Sequence, residues 1–273
     1  MSTSISEATV SSRVHTLAEG APDRDRMDWV AVEAPLEIRI GLKPATVLMR
    51  TPGDDEELVR GFLFSEGIIG GLDDITSIGR PPHLTGEQEG NVITVQLAAS
   101  RQRPTIDRNF YSSSSCGVCG KKTIASLEVK GAVSDSRLKI EQRVLARLPQ
   151  QLRDAQSTFA KTGGVHASGL FTPAGELIAA REDVGRHNAL DKLIGWALEA
   201  RRIPLTDCLL LVSGRVSYEI VQKAVSASLP MIAAVGAPSS LAVELAERFN
   251  LTLVGFLRPD AMNVYTNPTR VVG

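Results

Sequence analysis

From Trp29 onward, apolar and polar residues alternate along the chain: Val30 and Val32, then Leu36, Ile38 and Ile40, then Val47 and Met49. A period of two marks half-buried strands, and Pro35 and Pro44 punctuate the runs, so the pattern predicts short antiparallel strands. The period then changes. Leu58, Phe62 and Leu63 recur at helical spacing, behind Asp54 as a candidate N-cap and Glu57 at the capping-box position, with Gly67 suited to the C-terminal end. Ile75–Ile78 and Asn91–Leu97 read as two more strands, which completes a small α+β unit. Ahead of it, residues 1–28 are polar without sustained period and predict a disordered or loosely attached tail.

The second half alternates whole elements. Residues 141–161 read as helical, with Val144, Leu145, Leu148 and Leu152 on one side and Pro149 expected to break the stretch in two. Gly164–Phe171 and Glu176–Ala180 predict a hairpin around Thr172-Pro173-Ala174-Gly175. A helix follows from Gly185 to Ala200. Cys208–Val212 is an apolar run ending in Ser213-Gly214, with a helix from about Val216. Met231–Val235 ends in Gly236-Ala237-Pro238 ahead of a helix from Ser239 to Phe249, and Leu251–Phe256 is a last strand. Strands alternating with helices imply α/β architecture, a partly parallel sheet covered on both faces. The domains expected are thus a tail at 1–28, a smaller α+β domain at 29–140 and an α/β domain at 141–273.

Composition narrows the classes of function. Aromatic residues make up 4% of the chain, too few for a base-stacking surface, and a net charge of -1 gives no electrostatic pull toward nucleic acid or an anionic membrane. No apolar run approaches the ~18 residues that span a bilayer, and Met1–Val10 lacks the basic and apolar regions of a secretory signal. A cytoplasmic location is expected. Thiols stay reduced there, so a Cys-x-x-Cys pair is not expected to be a structural staple.

That pair, Cys116 and Cys119, lies in a Ser- and Gly-rich loop at residues 98–122 with Arg101, Arg103, Arg108, Lys121 and Lys122 around it. Loops of this length are usually functional or disordered. Cationic neighbours and the Cys-x-x-Cys spacing lower a thiol pKa and favour the reactive thiolate. The alternative is half of a zinc site, which needs two further ligands. Cys208 sits among leucines and reads as a core thiol, and His166 and His187 lie on different elements, so no structural metal is expected. Other candidates cluster in the second half. His166 and Ser168 project to one face of a strand next to Gly163-Gly164; a hydrogen-bonded histidine in a tight turn explains them equally well. Arg186 and His187 fall where a helix starts and exposed N–H groups favour anions. Ser213-Gly214-Arg215 and Gly236-Ala237-Pro238-Ser239-Ser240 follow the carboxyl ends of strands, where open α/β sheets usually bind ligands.

Taken in order, these segments resemble the formate dehydrogenase accessory sulfurtransferase family, FdhD. The resemblance is carried by Phe62–Ile69, Ser115–Gly120, Gly163–Gly169, Glu182–Lys192, Ser213–Ser217, Gly255–Arg258 and Asn263–Thr266. It implies a sulfurtransferase that takes persulfide sulfur from a cysteine desulfurase and passes it to the molybdenum of the bis-molybdopterin guanine dinucleotide cofactor, bound as substrate, before insertion into a client formate dehydrogenase. Cys116 would carry the persulfide and Cys119 would assist transfer or protect the sulfur. Phe256, Leu257, Arg258, Pro259, Asp260 and Ala261 match the family's cofactor-binding stretch, with His166, Ser168, Arg186, His187, Ser213 and Arg215 as further contacts. The fold implied for the C-terminal domain is a cytidine-deaminase-like three-layer α/β arrangement, and a homodimer is expected. Three rivals compete. A zinc deaminase needs His-x-Glu before Pro-Cys-x-x-Cys, whereas here His166-Ala167-Ser168 has no glutamate and follows the pair. A thiol–disulfide oxidoreductase usually keeps its pair near a βαβ unit. A non-catalytic cofactor chaperone would need no persulfide.

Overall fold

The computed structural model describes residues 7–17, 19–20, 22–99 and 131–273. Cys116, Cys119 and most of the 98–122 loop lie outside the described residues.

The chain opens with an antiparallel hairpin of β1 (Thr9–Thr16) and β2 (Arg24–Ala31). This corrects the tail expected at 1–28. Polar cross-strand pairs hold the hairpin more than apolar burial does, Arg13 with Asp25 at 2.6 Å and His15 with Asp25 at 2.9 Å, so no hydrophobic period announced it.

Next come β3 (Ala34–Ile40), β4 (Lys43–Arg50), helix α1 (Asp55–Ser65), β5 (Ile75–Gly79) and β6 (Val92–Leu97). They form a four-stranded sheet in the order β4-β3-β6-β5, with β3 and β6 parallel. Alternation on the strands aims Leu36, Ile38, Leu48, Ile93 and Val95 at one face, where Leu58, Phe62 and Leu63 of α1 cover them. Asp54 does occupy the N-cap position of α1, but its side chain caps nothing. Glu57 is drawn instead to Arg181, at 2.5 and 2.8 Å, across to the second sheet.

The remaining elements are β7 (Ile140–Glu141), α2 (Gln142–Leu145), α3 (Leu148–Asp154), α4 (Ser157–Thr162), β8 (His166–Phe171), β9 (Leu177–Asp183), α5 (Arg186–Glu199), β10 (Leu209–Val212), α6 (Tyr218–Ser226), β11 (Met231–Ala234), α7 (Ser240–Arg248), β12 (Thr252–Gly255), β13 (Asn263–Thr266) and β14 (Val271–Val272). The 141–161 stretch is divided as expected near Pro149, between α2 and α3, with the proline in the first turn of α3, where it forfeits no hydrogen bond. The second sheet runs β13-β12-β11-β10-β8-β9, with β10, β11 and β12 parallel. Both of its faces are buried, which explains the unbroken apolar runs of β10 and β11. Leu210, Val212 and Ile232 meet α5, α6 and α7 on one side. Leu209, Leu211 and Met231 meet α2 and α3 on the other. The result is a three-layer α/β unit beside the smaller α+β sheet.

The two sheets are joined through α1 and α5, which cross at backbone contact. A Cβ added at Gly61 would lie 1.8 Å from the Asp191 carbonyl oxygen, and one at Gly195 would lie 1.8 Å from that of Glu57. Only glycine fits at either position.

Candidate functional site at the carboxyl edge of the second sheet

Register places the sequence candidates together. Parallel strands β10, β11 and β12 end at Val212, Ala234 and Gly255, while antiparallel β8 begins at His166 beside the end of β9 at Asp183. All of these termini lie on one edge. Three loops meet there backbone to backbone: the Gly236 N–H donates to the Gly214 carbonyl at 3.0 Å and the Phe256 N–H to the Gly236 carbonyl at 3.1 Å. A Cβ on Gly236 would come within 2.7 Å of the Gly214 oxygen, so this floor requires glycine.

Over the floor stand His166, Ser168, Arg186, His187 and Arg215. His166 and Ser168 share a face of β8 that continues downward to Leu170 in the core against α5. His166 packs over Gly214, where an added Cβ would meet its Nδ1 at 3.2 Å. Burial, then the charges of Arg186 and Arg215, push His166 below the usual histidine range, against the opposing pull of Asp183. His187, at the start of α5, is pushed down to about 4 by burial and then by the Lys223 and Arg186 charges. Its Nε2 lies 3.2 Å from the Ser217 hydroxyl and 3.8 Å from Glu219. Burial of Glu219 is outweighed by its bond to Ser217 and by nearby cations, so that carboxylate stays ionised below the ordinary range. At neutral pH both histidines are therefore uncharged, and the fixed cations are Arg186 and Arg215.

The site is also unsatisfied. Among the described residues three buried side-chain atoms have no hydrogen-bond partner, and two of them, Ser168 Oγ and Arg186 Nε, belong to this cluster. Buried polar groups are normally paired, so at these two atoms the fold itself supplies no partner.

Other expected contacts have different placements. The Ser213 hydroxyl accepts from the Ala167 N–H at 2.9 Å and so fastens β10 to β8. Leu257 is 1% exposed with its side chain in the core, and its N–H donates to the Ala234 carbonyl at 2.9 Å, so it serves the fold. Phe256 is 44% exposed at the crevice rim, and Pro259, Asp260 and Ala261 are exposed on a turn closed by the Arg258 N–H donating to the Ala261 carbonyl at 2.8 Å. The Arg258 guanidinium donates to the Val235 and Leu257 carbonyls, both at 2.8 Å, which holds that turn against the end of β11. Cys208 is buried, and burial followed by its bond to Asp207 pushes its thiol up to about 12, an unreactive state.

Behind the crevice lies a clasp that the sequence reading did not separate from it. Fully buried Asp183 accepts from the Thr51 N–H at 3.1 Å, the Gly185 N–H at 2.9 Å and Asn188 Nδ2 at 2.9 Å, and pairs with Lys192 at 2.8 Å. Lys192 in turn donates to the Thr51 and Glu182 carbonyls, and Asn188 to that of Met49. The start of α5 is thereby tied to the end of β4. Deeper still, Lys223 of α6 contacts Asp191 of α5 and Ser65 of α1, each at 2.9 Å. Burial works against the Lys223 charge, but Asp191 and Glu66 outweigh it and hold the ammonium ionised. Glu182 accepts from the first N–H groups of α4, at Thr158 and Phe159. In the segment Glu182–Lys192, Arg186 and His187 stay outside these contacts. Ser217 and Glu219 join the site unannounced, because nothing in the sequence shows that the start of α6 faces the start of α5.

These features define an α/β protein with Arg186 and Arg215 beside two neutral histidines at the carboxyl edge of its larger sheet, the edge where open α/β sheets usually bind ligands. The chain belongs to the FdhD/NarQ family, whose family model matches residues 31–272. It is 52% identical over 255 residues to a protein named sulfur carrier protein FdhD from Mycolicibacterium paratuberculosis, covering 90% of this chain and 93% of that one. A protein of the same name from the archaeon Sulfolobus acidocaldarius is 45% identical over 244 residues, 89% of this chain and 91% of that one. Among solved structures, a chain from Desulfotalea psychrophila described as a formate dehydrogenase accessory protein superposes with a TM-score of 0.78 at 26% identity, covering 97% of this chain and 100% of that one.

Proposed function

We propose that this chain is a sulfur carrier that sulfurates an anionic molybdenum cofactor for a formate dehydrogenase. The names of its relatives support sulfur carriage and the formate dehydrogenase connection. The observation that supports the acceptor half is the pair of arginines, Arg186 and Arg215, acting on His166 at the carboxyl edge of the sheet, with Arg186 Nε left without a partner from the fold.

In this reading the Cys116 thiolate attacks the outer sulfur of a persulfide on a cysteine desulfurase. A sulfur–sulfur bond forms on Cys116, the bond within the donor persulfide breaks, and the desulfurase cysteine leaves as a thiolate. Cys119 assists the later transfer or protects the sulfur. The acceptor is the bis-molybdopterin guanine dinucleotide cofactor, treated as substrate. Arg186 and Arg215 hold its phosphates, Ser168 and the exposed side of the Phe256–Ala261 turn orient it, and neutral His166 and His187 donate or accept hydrogen bonds without adding charge. The three-layer unit is then cytidine-deaminase-like, with its crevice given over to binding, and the protein works in the reducing cytoplasm where thiols stay free.

Incubating the reduced protein with a cysteine desulfurase and free cysteine, followed by intact mass measurement, tests the first step. Wild type and Cys119→Ala should gain a sulfur-sized mass that Cys116→Ala does not. Gain on Cys116→Ala, or no gain on wild type with an active desulfurase, overturns the carrier role and favours a non-catalytic cofactor chaperone.

A further inference from the structure

At the start of α6, two side chains decide which nitrogen of His187 carries its proton. His187 Nε2 lies 3.2 Å from the Ser217 hydroxyl and 3.8 Å from the Glu219 carboxylate. Ser217 holds the N-cap position of α6, yet its side chain bonds no N–H of that helix. Its hydroxyl is spent sideways instead, on Glu219 and His187. The histidine and the glutamate are both largely enclosed, with 16% and 12% of their side-chain surfaces exposed.

Hydrogen-bonding capacity sets the direction of this chain. The ionised Glu219 carboxylate can only accept, and a serine hydroxyl has one proton to give. A bond to a charged acceptor is about twice as strong as one between neutral groups, so the Ser217 proton goes to Glu219. The Ser217 oxygen is left to accept, and the ring nitrogen that reaches it, Nε2, must be the one bearing hydrogen. Nδ1 is then a bare acceptor, and among the described residues nothing donates to it. Around the ring stand Lys223 and Glu219 on α6, Arg186 beside it on α5, and His166 on β8. Burial first, then the Lys223 and Arg186 charges, keep the ring unprotonated at neutral pH, so the acceptor persists there.

We propose that Glu219, acting through Ser217, is a positioning residue that locks His187 in its Nε2–H tautomer and presents Nδ1 to the ligand as a hydrogen-bond acceptor. The crevice then makes two demands: negative charge for Arg186 and Arg215, and an N–H or O–H donor for Nδ1. A sulfate ion meets only the first. A nucleotide, whose base and sugar carry such donors, meets both. The ligand half rests on the cofactor-binding reading above; the tautomer does not.

Nitrogen-15 NMR of the imidazole rings in the full chain at neutral pH reads the tautomer directly. The chain has four histidines, and the signals lost in His187→Gln identify the ring. Wild type should show hydrogen on Nε2 and none on Nδ1, a result that needs no variant to fold. Glu219→Ala frees the Ser217 proton to turn onto Nε2 and should shift the tautomer ratio about tenfold toward the Nδ1–H form. Calorimetric titration with guanosine diphosphate gives a second readout. By charge alone, removing a carboxylate would tighten an anion, whereas loss of the acceptor should weaken binding by Glu219→Ala about tenfold. A wild-type ring with hydrogen on Nδ1, an unchanged tautomer ratio in Glu219→Ala, or tighter nucleotide binding by that variant would each overturn the proposal. Should wild type bind no guanosine diphosphate, the cofactor-binding reading fails and the tautomer ratio alone decides for or against the positioning role.

Discussion

The crevice and the clasp behind it share one stretch of sequence, Asp183–Lys192, and they have opposite chemistry. Within the clasp every polar group of Asp183, Asn188 and Lys192 that points inward finds a partner from β4, β9 or α5. A turn away, Arg186 Nε and the nearby Ser168 hydroxyl find none. The same residue types, dense in charge and hydrogen-bonding capacity, hold the two sheets together on one side and are left without partners from the fold on the other. Satisfaction, rather than polarity, separates structure from site.

The sharpest way to break this comparison is to open the clasp. Asp183→Ala leaves Lys192 charged and fully enclosed, and should lower stability by about 3–5 kcal/mol in urea unfolding. A loss below 1 kcal/mol would mean that the clasp is dispensable. Lys223→Met should cost about 3 kcal/mol by stranding Asp191, while Lys223→Met with Asp191→Leu should recover most of that loss, since an apolar pair of similar volume avoids the desolvation penalty. Strong additive loss in the double variant would show that the charges themselves are required.

Acid should reveal the boundary between the two regions. His187 is neutral in the folded protein down to about pH 4, whereas the unfolded chain takes up a proton below the usual 6.5. Stability from this residue is complete above pH 6.5 and is lost as pH falls toward 4, by about 3 kcal/mol. His187→Gln should flatten that part of the stability profile, and an unchanged acid slope would place the titration elsewhere. The smallest effect is expected on the ligand side. Ser168→Ala removes a hydroxyl that bonds nothing in the folded chain, so stability should hold or rise by up to about 1 kcal/mol. A marked loss would mean that the hydroxyl serves the fold.

The fold was legible wherever apolar spacing carried it. Strands β8 to β12 and helices α5 and α7 fall within a few residues of the runs that announced them, because burial on both faces writes itself as apolar sequence. The hairpin β1–β2 and strand β13 escaped, since exposed strands need no apolar period. Turn position also told more than capping chemistry: Asp54 marks the start of α1, but its side chain serves no cap. At the site, His166, Arg186, His187 and Arg215 converge as the strand order predicts. Partnership could not be read in advance. That Asp183 would be consumed by Thr51, just past a strand of the other sheet, follows from the close packing of α1 on α5 through Gly61 and Gly195, and that Glu219 would stand beside His187 follows from the packing of α6 on α5.

The most direct test of an anion crevice at the carboxyl edge is calorimetric titration of the full chain with guanosine diphosphate, on wild type, Arg186→Gln and Arg215→Glu. Binding to wild type, weakened by about 10–100-fold in each variant while urea unfolding stays within about 0.5 kcal/mol, is the predicted result. Equal affinity in all three proteins would contradict it and move the ligand away from this crevice.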